Sequence, residues 1–64
     1  MKLHIANMTC GGCARGVTAS IQEIDADAQV HVDLATKMVS VETSASTDQI
    51  TAALADDGFP ATVQ

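Results

Sequence analysis

The sequence predicts an α/β (α+β) sandwich: a four-stranded antiparallel sheet with two helices on one face, built by a single domain of residues 1–64. Three observations lead there. Several short stretches alternate apolar and polar residues at period two, two other stretches repeat apolar residues at spacings of three and four, and turn-forming residues separate them. Alternation marks half-buried strands and the longer period marks helices with one buried stripe. The order strand, helix, strand, strand, helix, strand closes into such a layered arrangement.

The first strand is expected over residues 2–6, with Leu3 and Ile5 inward and Lys2 and His4 outward. Asn7 to Gly12 read as a loop. From Cys13 the apolar positions Val17, Ile21 and Ile24, extended by Ala14, follow helical spacing, so an amphipathic helix runs to about Ile24. Gly16 inside it costs about 1 kcal/mol relative to alanine.

The second strand places Val30, Val32 and Leu34 inward with Gln29, His31 and Asp33 outward, and the third places Val39 and Val41 inward with Ser40 and Glu42 outward. The short run "ATK" between them reads as a hairpin turn. "STDQ" at 46–49 fits a capping box, Ser46 being the N-cap and Gln49 reaching back, ahead of a stripe of Ile50, Ala53 and Leu54. Gly58 ends that helix, Pro60 prevents its return, and a last strand spans roughly residues 59–63. This topology brings three loops to one end: the segment holding Cys10 and Cys13, the hairpin around Lys37, and the turn into Phe59.

Composition narrows the function. The one aromatic residue is Phe59, so the core is built from small aliphatic side chains and a broad substrate pocket is not expected. A formal net charge of -5 opposes binding to nucleic acid or to an anionic membrane surface. The opening "MKLHIANM" lacks the uninterrupted apolar run of a signal peptide, and no stretch approaches the ~20 apolar residues that span a bilayer. The expectation is a cytoplasmic protein with no membrane insertion.

The chemistry lies in "NMTCGGCARG", residues 7–16. Two cysteines separated by two residues can hold a soft metal, form a disulfide or perform thiol redox chemistry. In a reducing compartment such a pair is more often metal-binding or catalytic, and a bridge closing so small a loop adds little stability. Thiolates favour Cu(I), zinc or an iron-sulfur cluster; structural zinc and iron-sulfur sites usually take four protein ligands, whereas two sulfurs satisfy d10 Cu(I). His4 and His31 fall on the outward parity of their strands and read as surface residues. Cys13, at the first turn of a helix, is placed where free amides and the macrodipole favour a thiolate. Gly11 and Gly12 leave the loop free to bend both sulfurs toward one ion.

"MTCGGC" between a strand and a helix, in a chain of this length and pattern, resembles the heavy-metal-associated (HMA) domain family. The resemblance spans Leu3 to Val63 and includes "VHVDLATKMVSV" and "DDGFPA". The family contains small soluble copper chaperones, the cytoplasmic metal-binding domains of copper-transporting P-type ATPases, and mercury- and zinc-binding relatives. It implies a ferredoxin-like βαββαβ fold and metal ligation by Cys10 and Cys13. Met8 matches a family methionine that packs beneath the loop. Thr9 stands where zinc-transporting relatives often carry Asp, which favours Cu(I). Phe59 stands where bacterial copper chaperones often carry Tyr and eukaryotic ones Lys, and it brings no hydrogen bond to the site. "DADAQV" replaces a common Gly-Val before the second strand, at the end remote from the metal.

The expectation is thus a non-enzymatic carrier that binds one Cu(I) and passes it by ligand exchange to a copper-transporting P-type ATPase or similar acceptor. It would be a monomer when apo and form a Cu(I)-bridged homodimer when loaded. Arg15 and Lys37 are the cations expected near the metal end. A P-type ATPase domain, a mercury- or zinc-binding relative and a thiol-disulfide oxidoreductase are the alternative readings.

Overall fold

The computed structural model describes residues 1–64, and its elements follow the expected order. They are β1 (Lys2–His4), α1 (Gly11–Ile24), β2 (Gln29–Asp33), β3 (Met38–Glu42), α2 (Thr47–Asp56) and β4 (Thr62–Val63). The four strands form one antiparallel sheet in the order β2-β3-β1-β4. Leu3, Val39 and Val41 from the sheet, Val17 and Ile21 from α1, and Ile50 and Leu54 from α2 share a single buried cluster, so both helices cover the same face. Gln29, His31, Asp33 and Glu42 are exposed on the opposite parity. This is the ferredoxin-like sandwich.

Local chemistry explains the boundaries. At α2, Ser46 accepts from the Gln49 amide at 3.1 Å while the Gln49 side chain accepts from the Ser46 amide at 3.0 Å, the reciprocal capping box read from "STDQ". Gly58 ends the helix with φ 88°, a left-handed conformation that costs glycine nothing. Its neighbour Phe59 donates its amide back to the Leu54 carbonyl at 2.7 Å. Because that amide is spent on the helix and Pro60 has none, strand pairing starts only afterwards: β4 is Thr62–Val63, shorter than the expected 59–63.

Five other expectations shift. β1 stops at His4, since the chain turns after Ile5, although the buried Ile5 still donates its amide to the Lys37 carbonyl at 2.9 Å. α1 begins at Gly11 instead of Cys13, with Cys10 as its N-cap. Ile24 is 43% exposed, at the last turn of α1 where the stripe runs past its cover, and Leu34 is 38% exposed because it falls in the hairpin beyond β2. Val30 and Val32 are only half-buried, as suits an edge strand with one neighbour.

The departure "DADAQV" proves to be a built junction. The Asp25 carboxylate accepts from the Asp27 amide at 3.0 Å and from the Thr43 hydroxyl at 2.6 Å, tying the end of α1 to the exit of β3. Those donors, Thr43 first, hold the Asp25 carboxyl below the usual value. Between the helices, the buried Ser20 hydroxyl donates to the Asp57 carboxylate.

Candidate metal centre

Cys10 closes the N-terminus of α1 in an extended conformation (φ -152°, ψ 172°), and Cys13 sits in the first helical turn. This places the two thiols on neighbouring positions of one helix end. The Cys10 thiol donates to the Cys13 sulfur at 3.5 Å, so the two are separate thiols. They are not equivalent: Cys10 is exposed, whereas Cys13 is half-buried against the core cluster.

The surroundings of Cys13 also bear on its protonation. The Cys13 thiol is held below its ordinary value, chiefly by the Thr9 backbone and next by the Cys10 thiol, with smaller help from the Cys10 backbone and the Thr9 side chain; partial burial opposes them. Hydrogen bonds to the anion therefore outweigh desolvation, and the site favours a thiolate on Cys13.

The three loops do meet here, held by polar ties that periodicity could not reveal. Asn7 Nδ2 donates to the Gly58 carbonyl at 3.2 Å, joining the thiol loop to the turn after α2. Lys37 Nζ donates to the Ala6 carbonyl at 3.1 Å, and Lys37 itself has φ 60° at the end of the hairpin. Arg15 and Lys37 both lie at this end, as expected, but the Lys37 amine is engaged with backbone. Asn7 was missed because a lone Asn in a loop gives no sign of its partner.

Met8 is fully buried in the core, as the resemblance implies. Phe59 is half-buried on the core cluster, and a Cβ at residue 16 would stand 3.3 Å from two atoms of its ring. Gly16 is thus the flat seat that lets the ring approach the helix. Gly11 and Gly12 behave otherwise than expected: both are helical and neither has positive φ, so a bend is not what their backbone supplies. His4 and His31 join no cluster of three or more metal-ligating side chains, and the chain contains none.

Residues 2–60 match the heavy-metal-associated domain family. The chain belongs to that family. Its members traffic metal and are not enzymes, which sets aside the oxidoreductase reading. Among curated relatives, the copper transport protein ATOX1 homolog of Dictyostelium discoideum is 45% identical over 38 residues. That match spans 59% of this chain and 57% of the relative, little more than half of its length. Among solved structures, a gold binding protein is 54% identical with a TM-score of 0.93, covering 95% of this chain and 94% of its own. The copper chaperone Atx1 from Synechocystis PCC6803 is 32% identical with a TM-score of 0.94, covering 97% and 98%. No helix is long and apolar enough to cross a membrane.

Proposed function

We propose that this chain is a cytoplasmic copper carrier, in which Cys10 and Cys13 bind one Cu(I) and release it by ligand exchange to a thiol site on a copper-transporting P-type ATPase. The observation that carries the reading is the pair itself: two free thiols 3.5 Å apart at an exposed helix end, with no third metal-ligating side chain grouped with them. Two soft donors suit a d10 monovalent ion and fall short of the four that structural zinc prefers. The likeness to copper chaperones supports copper as the cargo.

Exchange follows from the asymmetry of the pair. An acceptor thiolate approaches the ion from the exposed Cys10 side, a three-sulfur intermediate forms, and Cys10 releases before the half-buried Cys13. A second cargo has its own support, since the gold binding protein shares 54% of aligned residues; the same two sulfurs suit Au(I) by softness. Anaerobic titration of the reduced protein with Cu(I), Au(I) and Zn(II) against chromophoric competitors tests both. One Cu(I) per chain is expected, with Cys10→Ser or Cys13→Ser each weakening it severely, because loss of one of two soft donors leaves a single sulfur on the ion, and Met8→Leu leaving it unchanged. Tighter retention of Zn(II) than of Cu(I), or loss of binding in Met8→Leu, overturns the assignment.

A further inference from the structure

Arg15 follows Cys13 by two positions, and its guanidinium turns back across the first turn of α1. A Cβ on Gly12 would lie 3.8 Å from Cys10 Sγ and 4.0 Å from Arg15 Nη2, so the exposed thiol and the cation flank one point above bare backbone. Arg15 is exposed, and its guanidinium enters none of the side-chain hydrogen bonds of the fold. The other two side-chain cations are placed differently. Lys37 is bound to the Ala6 carbonyl, and Lys2 lies at the start of β1, whose far end leads to the thiol loop. Beyond Arg15 opens a groove of about 410 Å³ between α1 and β2, lined also by Ala14, Thr18, Val30 and Val32.

We infer that Arg15 determines which small carrier hands the ion to the pair: a carboxylate-bearing thiol, whose sulfur brings Cu(I) to Cys10 while its carboxylate meets the guanidinium and its body extends along the groove. The inference rests on the metal-carrier reading above. Cu(I) held by two small thiolates is an anion, and this chain carries a net charge of -5, so the approach is opposed everywhere except beside a free cation. A guanidinium also matches a carboxylate in shape, with two parallel N–H donors.

The exchange balances without redox change. Two Cu–S bonds to the carrier break and two form, to Cys13 and Cys10. The Cys10 proton leaves on one departing carrier sulfur, the other departs as thiolate, and copper remains Cu(I). Arg15 touches the carrier, not the ion in its final site, so its effect belongs to selection among carriers.

Transfer is measured by anaerobic stopped flow from Cu(I) complexes of 3-mercaptopropionate, 2-mercaptoethanol and cysteamine, into the native chain, Arg15→Met and Arg15→Lys. Circular dichroism and Cu(I) stoichiometry check that each variant folds and loads. Each thiol is compared with itself across variants, which cancels its intrinsic copper affinity. For mercaptopropionate, Arg15→Met is expected to slow transfer about threefold, the scale of an exposed ion pair, with Arg15→Lys retaining part of the rate and added salt erasing the difference. Mercaptoethanol, whose complex carries the thiolate charge but no carboxylate, should be slowed less than mercaptopropionate, and cysteamine, whose complex is cationic, should be faster in Arg15→Met. Equal effects on all three thiols, or none, overturn the role of Arg15 while leaving the carrier reading intact. Failure of the native chain to load from any of them overturns both.

Discussion

At the scale of single residues, the seat between Gly16 and Phe59 sets two effects against each other. Alanine at 16 gains helix propensity of about 1 kcal/mol, yet its Cβ would meet two ring atoms at 3.3 Å, closer than the ring tolerates without shifting. A double-mutant cycle separates them. Gly16→Ala in a Phe59→Ala background should stabilise by about 1 kcal/mol, and in the native background it should gain less or lose, giving a coupling of about 0.5–1 kcal/mol. Denaturant unfolding of the four proteins reads it; additive effects would mean that the ring does not bear on Gly16. From the sequence, Gly16 was visible only as a cost to the helix, because its reason stands 43 residues away in the chain, at Phe59. Met8 was placed correctly only through the family pattern, since no alternation continues across the loop that holds it.

At the scale of elements, patterns that repeat were legible and ties that occur once were not. The β2–β3 hairpin followed from alternation, and the register pairs Val30 with Val41 and Val32 with Val39 as that alternation requires. The start of α1 was hidden because Gly11 and Gly12 have low helix propensity, and α1 nevertheless begins there. The Ser20–Asp57 bond and the Asp25 junction were illegible, because apolar periodicity says nothing about which polar groups meet. Ser46→Ala should lower stability by about 1 kcal/mol, as for other lost N-caps, read as a shift of the denaturant midpoint with unchanged slope. An unchanged midpoint would show that α2 does not depend on its capping box.

The Asp25 junction gives a pH signature. Its folded-state pKa is depressed, so the ionised carboxylate contributes stability that is present above the unfolded value and is lost as pH falls through the folded one. Asp25→Ala should therefore melt lower than the native chain at neutral pH. The gap should begin to close near the ordinary value of 3.8 and be smallest below the folded value. A gap that widened with acidification would reverse the sign of this contribution.

At the scale of the whole molecule, 11 of 64 residues are buried and the core is one thin layer of aliphatic side chains. Stability of about 3–10 kcal/mol is expected from a chain this long, so Ile50→Ala, which empties a fully buried site at a cost of about 2–5 kcal/mol, should consume much of it. Assembly is governed by the exposed thiol. If the loaded pair keeps a third position open to an incoming sulfur, a second copy can supply that sulfur. Sedimentation velocity should then find a monomer without copper and a Cu(I)-bridged dimer with it. Moderate salt strengthens the dimer by screening the -5 charges, and a small thiol dissolves it. A loaded protein that stays monomeric at high concentration in thiol-free buffer would show a closed site and would count against ligand exchange.

The ring resting on Gly16 has an optical consequence. With no Trp or Tyr in the chain, Phe59 is the only aromatic chromophore, and it sits on the turn that Asn7 ties to the thiol loop, one helical turn beyond Cys13. The near-ultraviolet circular dichroism of the apo protein is therefore the spectrum of one residue in one environment. In the apo protein the fine structure of that ring is expected to change when the turn it occupies rearranges, so breaking the Asn7–Gly58 tie should be readable at Phe59 without an attached dye.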